Sequence, residues 1–414
     1  MGRSFTCKTA RLICLVFALV IGVTAAGLAA TRTSAVARRT STTRTPAIKK
    51  SAARSKSTAK VSATKVSAKR VSATKTRRVR RTRYVERFTG NSFATNIGSD
   101  DVIAGEDPVV RAAAVEALGN MNGTALAIDP SSGRILAMVN QKLALSSGAE
   151  PCSTIKLAVS LAALDEGLIT KDTPVNLGGH YTMTLTKALA LSINPYFEQL
   201  GRMLGFERVK HYANQFGLGE LAGYHIDGEQ LGVYPDEPLP ESRGGVGRMC
   251  SFGESISMTP LQLGAMVSAI ANGGTLYYLQ HPETQDEVAS FTPKVKRILD
   301  IAPLVPEMRD GMAGAVDYGT ARSLRTSFHE FPVLGKTGTC SNNGTRYGWF
   351  ASYAETPTGR IVTVIFLEGG RPTFGPKAAE LTGAFYRALA DHSYFQPKGT
   401  QMADSNLSTV RNAN

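Results

Sequence analysis

The chain has 414 residues, 43% of them hydrophobic, with 47 Lys and Arg against 33 Asp and Glu, a net charge of +14. Residues 1–83 hold 21 of the basic side chains and no acidic one, which leaves 26 basic and 33 acidic in the remaining 331, a net of −7. That division excludes reading the overall charge as the nucleic-acid footprint of a fold, and it predicts an acidic globular region of one or two domains behind a basic arm.

Arg3, Lys8 and Arg11 precede an uncharged run, LICLVFALVIGVTAAGLAA, at 12–30. A basic start followed by such a run is an export-type segment. Its 19 residues fall between a long signal h-region and a short membrane span. Residues 1–30 are therefore expected to be a signal peptide or membrane anchor. The rest is expected to be exported, to the periplasm or the extracytoplasmic face of the membrane. The flank after the run is far more basic than the flank before it, which opposes a retained anchor with the domain outside. Cleavage among the small residues at 27–30 would remove the conflict. Residues 31–88 are rich in Ala, Ser, Thr, Lys and Arg and repeat VSATK-VSAKR-VSATK at 61–75. High charge with little to bury predicts a disordered linker. It is either a solvated spacer or an arm for anionic membrane lipids or cell-wall polymers. Nucleic acid is not an expected partner of an exported chain.

Residues 89–396 read as globular and 397–414 as a polar tail. GTALAID at 123–129, a Pro-Ser-Ser-Gly turn and RILAMVN at 134–140 predict a β-hairpin. Helices are expected at 153–167, ended by Gly167, then at 184–191, 195–204 and 207–216. Another is expected at 260–272, capped by Thr259 with Pro260 in its first turn. Three strands follow at 333–340, 347–353 and 361–367, and a last amphipathic helix spans 378–392. The expected fold is α+β, with a mostly antiparallel five-stranded sheet, flanking helices and an additional helical lobe.

Three short patterns carry chemistry. Ser153-Thr154-Ile155-Lys156 puts a hydroxyl and an amine three residues apart on one helix face, within mutual reach. Burial and nearby cations favour a neutral lysine, which can act as a base. Ser192-Ile193-Asn194 precedes Pro195, which ends a helix and leaves the tripeptide on an inter-helix corner. Gly335-Lys336-Thr337-Gly338-Thr339 invites a phosphate-loop reading, but that motif needs a glycine where Glu330 stands, and no helix follows. On a strand, Lys336, Thr337 and Thr339 instead form a cationic, hydroxyl-lined rail, and Gly338 lets a substrate approach the backbone closely. Taken singly, each pattern is commonplace. Their order is not.

S-x-x-K, then S-x-N, then K-T-G resembles the serine penicillin-recognising enzymes, more closely the penicillin-binding transpeptidases. The opening hairpin, EPCSTIK at 150–156, SFGESISMTPLQLGAMVSAIANGG at 251–274 and Gly348-Trp349-Phe350 also look like landmarks of that family, over roughly residues 123–391. The resemblance implies a peptidoglycan D,D-transpeptidase that cross-links stem peptides and binds β-lactam antibiotics. In it Ser153 is the acylated nucleophile, Lys156 its base and Ser192 the proton shuttle to the leaving amine. Asn194, Lys336, Thr337, Gly338 and Thr339 bind substrate, and the backbone N–H groups of Ser153 and Thr339 form the oxyanion hole. The resemblance implies no metal or cofactor. A D,D-carboxypeptidase or a β-lactamase on the same fold, and a non-catalytic sensor or wall-binding module, stay open as alternatives. Cys152 stands where the family usually has glycine, Cys340 directly follows the third pattern, and only residues 141–152 separate the hairpin from the nucleophile. No large accessory or glycosyltransferase domain is expected ahead of the catalytic region. Cys152 and Cys340 would flank the cleft, where packed thiols are expected ahead of a bridge.

Overall fold

The computed structural model describes residues 87–396. The expected leader, nearly all of the basic arm and the polar tail lie outside the described residues. Two runs that pair over a tight turn, Gly123–Asp129 (β1) and Arg134–Val139 (β2), open the sheet. Three longer strands, Val333–Asn342 (β3), Thr345–Thr356 (β4) and Gly359–Gly369 (β5), complete it as a meander. The spatial order is β2-β1-β5-β4-β3 and every neighbouring pair is antiparallel. The expected five-stranded α+β architecture is therefore present, and β3 is an edge strand.

Side chains alternate between two cores. Leu126 and Ile128 of β1, with Val362, Val364 and Phe366 of β5, face one side. Ala125 and Ala127, with Ile361, Ile365 and Leu367, face the other. Because both faces are covered, these strands read in sequence as continuous apolar runs rather than as alternating ones. Helices Pro108–Leu118 (α1) and Gly375–Asp391 (α9) cover the second face. The helical lobe covers the first. It comprises Lys156–Asp165 (α2), Leu185–Leu191 (α3), Asn194–Leu204 (α4), Phe206–Gln215 (α5), Gly245–Phe252 (α6), Pro260–Asn272 (α7) and Val305–Asp317 (α8). α7 is buried from Pro260 to Ala271, as a helix sandwiched between sheet and lobe must be. Its start is fixed by a reciprocal cap in which Thr259 and Gln262 bond each other's backbone N–H groups.

The structure departs from the sequence reading in three places. The segment expected to start a helix at Ser153 is a 3-10 turn, Cys152–Ile155, and the α-helix begins at Lys156. α1, α6 and α8, and two small two-stranded ladders, were not expected. The three late strands each extend past their expected ends, because hairpin pairing continues through the polar residues at the turns. Among the described residues, no helix is long and apolar enough to cross a membrane.

Candidate active site

The turn that carries Ser153 is anchored from the sheet. Trp349 on β4 stacks on Phe366 with ring centroids 3.9 Å apart, and its Nε1 donates to the Glu150 carbonyl at 3.0 Å. Pro151 caps the 3-10 turn, and both the N–H and the hydroxyl of Thr154 donate to its carbonyl, at 3.1 and 2.7 Å. The N–H of Ser153 precedes that first internal bond, so it is one of the unused donors at the start of the turn. In a 3-10 turn residues i and i+3 nearly eclipse, which sets Ser153 and Lys156 on one side. Ser153 is half-buried and Lys156 is fully buried at the head of α2.

Cys152 and Cys340, expected as packed thiols, are instead joined by a disulfide. Their Cα atoms lie 5.6 Å apart, well inside the span of such a bond, because β3 runs against the 3-10 turn that carries Ser153. A separation of 188 residues hides that closeness in the sequence. Cys250 keeps a free thiol, pushed up to about 12 by complete burial.

The second pattern forms a two-residue corner. α3 ends at Leu191, Ser192 takes the left-handed conformation (φ 56°), Ile193 is extended, and Asn194 opens α4 with Pro195 in its first turn. This geometry turns both polar side chains toward Lys156. The Lys156 Nζ lies 2.6 Å from Asn194 Oδ1 and 3.0 Å from both the Oγ and the carbonyl of Ser192. It also sits 5.1 Å from the centroid of the Phe197 ring. The amine does not hydrogen-bond Ser153 Oγ, so the structure groups Lys156 with the second pattern rather than with its own serine.

The third pattern lies on β3. Lys336, fully buried, donates to Ser192 Oγ at 2.7 Å and to the Thr337 carbonyl at 3.0 Å. Thr337 O therefore points away from β4, and by the two-residue period of a strand the Thr339 N–H points to the same free edge. Gly338 makes the approach of that edge possible. A Cβ there would sit 2.9 Å from the Pro151 carbonyl and 3.2 Å from the Thr154 methyl. Thr337 and Thr339 lie on the opposite face of the strand from Lys336. Thr337 Oγ1 donates to Thr320 Oγ1 at 2.7 Å, and Thr339 Oγ1 accepts the N–H of Gly375, at the start of α9, at 2.7 Å. Thr320 had no signal in the sequence. It follows α8, in a segment with none of the three patterns.

Two amines that share one hydroxyl, both buried, cannot both carry charge cheaply. Burial, then the neighbouring Lys336 ammonium, hold Lys156 well below the usual lysine range, with Glu198 opposing. Burial lowers Lys336 to about 7. Both amines are thus pushed toward the neutral form, and a charge on Lys336 pushes Lys156 further that way. Among the described residues no group of three His, Cys, Asp or Glu side chains could hold a metal ion. A cavity of about 1030 Å³ lies between the β1–β2 and β4–β5 turns and the end of α9, and shares no lining residue with this cluster.

A family model described as the penicillin binding protein transpeptidase domain matches residues 123–389, more than half of the chain. The chain belongs to that family. It is 27% identical over 338 residues to Stage V sporulation protein D of Bacillus subtilis, covering 67% of this chain and 50% of that protein. It is 24% identical to Peptidoglycan D,D-transpeptidase MrdA of Acinetobacter baumannii, covering 72% and 56%. The chain thus spans about half the length of the curated relatives it matches. Among solved structures, Pseudomonas aeruginosa PBP2 in complex with WCK 5153 aligns with a TM-score of 0.58 at 21% identity, over 71% of this chain and 79% of that one. Penicillin binding protein 3 of Mycobacterium tuberculosis aligns at 0.56 and 23%, over 70% and 78%. At such identities the likeness concerns the fold alone.

Proposed function

We propose that this chain is a peptidoglycan D,D-transpeptidase that works through an acyl-enzyme on Ser153. The observation that carries the reading is the meeting of two buried amines on Ser192 Oγ, Lys156 at 3.0 Å and Lys336 at 2.7 Å, beside the half-buried Ser153. Such a pair holds one neutral base and one cation side by side, which acyl transfer needs and a structural ion pair does not.

In the first half-reaction Ser153 Oγ bonds to the carbonyl carbon of the penultimate D-Ala, and its proton passes to neutral Lys156. That transfer requires the amine to swing from Asn194 toward Ser153 as substrate docks, the tightening expected between free enzyme and complex. The unused N–H of Ser153 and the edge-facing N–H of Thr339 hold the developing oxyanion, each such donor being worth about 10²–10³ in rate. The C–N bond to the terminal D-Ala then breaks. Ser192 gives its proton to the leaving amine and takes one from Lys156. In the second half-reaction an acceptor amine attacks the ester, its proton returns to Ser153 through the same groups, and the cross-link forms. Lys336 supplies positive potential, Thr339 gives its hydroxyl proton to the terminal carboxylate with Thr337 behind it, and Asn194 orients the peptide. The same cleft accounts for β-lactam binding, since the antibiotic presents an acyl group and a carboxylate in one ring system.

The hydrophobic run at 12–30 and the Cys152–Cys340 disulfide both support an extracytoplasmic location, because such bonds persist outside the reducing cytoplasm. A fluorescent penicillin should label the purified chain and leave Ser153→Ala unlabelled. Loss of no label in Ser153→Ala would remove the nucleophile assignment. Supplying a D-Ala-D-Ala peptide with and without an amine acceptor separates the transpeptidase from a carboxypeptidase, by whether amide product or free acid dominates.

A further inference from the structure

We propose that Thr320 is a further carboxylate-binding residue of this site, its hydroxyl donating to the substrate's free carboxylate beside the rail threonines. The inference deepens the proposed function and rests on it.

Hydroxyl protons are few here. Each threonine has one to give and two lone pairs to receive with. Thr339 receives the backbone N–H of Gly375, so its proton is free to point outward. Thr337 stands differently, for it donates to Thr320 at 2.7 Å and has spent its only proton on its neighbour. Thr320 receives that proton, and its own hydroxyl hydrogen meets no acceptor among the described residues. The pair thus presents one donor to an incoming anion, and as placed it belongs to Thr320. Thr337 polarises that donor from behind, since a hydroxyl that accepts a bond donates a stronger one.

Thr320 is also held where the carboxylate must come. Its N–H bonds the Ala190 carbonyl, two residues before Ser192, while its hydroxyl touches Thr337, one residue after Lys336. Gly319 permits this double contact, because a Cβ there would lie 2.2 Å from the same Ala190 carbonyl. Thr320 is half-buried rather than sealed, so a ligand in the cleft can reach it. The segment between α8 and β3 therefore contributes a side chain to the same rail that binds the terminal carboxylate.

The test compares acylation of Ser153 by benzylpenicillin and by its methyl ester, which lacks the anion, in the full chain and in Thr320→Val and Thr320→Ser. A lost hydrogen bond to a charged group corresponds to about a tenfold or larger change in rate. Thr320→Val should lower the second-order rate for the free acid about tenfold and leave the ester rate within about twofold, and Thr320→Ser should restore the acid rate. An unchanged acid rate in Thr320→Val overturns the proposal. So does an equal fall for acid and ester, which would mark a structural role. A wild-type chain that accepts both probes equally, or neither, defeats the carboxylate-rail reading beneath it, an outcome visible before any variant is made.

Discussion

At the scale of single residues, the proposed reaction turns on which of two lysines holds a proton. Both are fully buried and both touch Ser192 Oγ. A consistent assignment follows from their donors. Lys336 keeps its proton and donates to Ser192 Oγ and Thr337 O. Lys156 Nζ has three acceptors within reach, Asn194 Oδ1, the Ser192 carbonyl and Ser192 Oγ, and loss of its proton leaves N–H groups for only two of them. The signs of the two shifts give a pH dependence. Acylation should rise with pH as Lys156 loses its proton on the acid side. It should fall as pH passes about 7, where Lys336 loses the charge that attracts a carboxylate. A bound carboxylate favours the ammonium, so under saturating substrate the alkaline limb should move upward. A second-order acylation rate that stays flat from pH 6 to 9 would show that Lys336 is not the cation invoked.

At the scale of elements, the site is a junction of three pieces that no local pattern joins: the 3-10 turn, the α3–α4 corner and the edge strand β3. The disulfide fixes one seam of this junction. Closing a loop of 188 residues corresponds, in the chain-entropy treatment, to about 5 kcal/mol at 25 °C. Reduction with dithiothreitol, or the double change Cys152→Ala with Cys340→Ala, should lower Tm on the order of 10 °C and slow acylation more than it alters any distant function. A chain that melts and acylates identically with and without reductant would show that the seam is held by packing alone. The same junction explains what the sequence could and could not disclose. Ser153 with Lys156, Ser192 with Asn194, and Lys336 with Thr339 each lie two or three residues apart along the chain, a closeness that spacing alone discloses. Thr320 and the Cys152–Cys340 bond depend on elements brought together from far apart, and spacing is silent there. α8 was hidden for a related reason. Gly311 and Gly314 weaken its helical signature, yet Gly311 lets α3 approach, a Cβ there falling 2.9 Å from the Leu189 Cβ.

At the scale of the whole molecule, the cleft is stabilising for the reaction and destabilising for the fold. Burying Lys336 with a folded value of about 7, against 10.5 for an ordinary lysine, means that below pH 7 the native state must hold an ammonium it solvates poorly. Between pH 7 and about 10 the unfolded chain binds this proton and the native state does not, so stability should rise with pH across that interval. The buried tyrosines act oppositely. Tyr196, Tyr234 and Tyr386 are raised chiefly by burial, so above pH 10 the unfolded chain sheds protons that the native state retains, and stability should fall again. Lys336→Met keeps the volume and removes the charge. It should abolish acylation while raising Tm at neutral pH, the exchange of stability for activity that strained active sites make. It should also reduce the slope of stability against pH between 7 and 9 by one proton's worth, about 1.4 kcal/mol per pH unit. Guanidinium melts of the two chains at pH 7, 8 and 9 measure that slope directly. Parallel lines for wild type and Lys336→Met would show that Lys336 enters the folded state without changing its proton affinity, and the division of labour between the two lysines would fall with it.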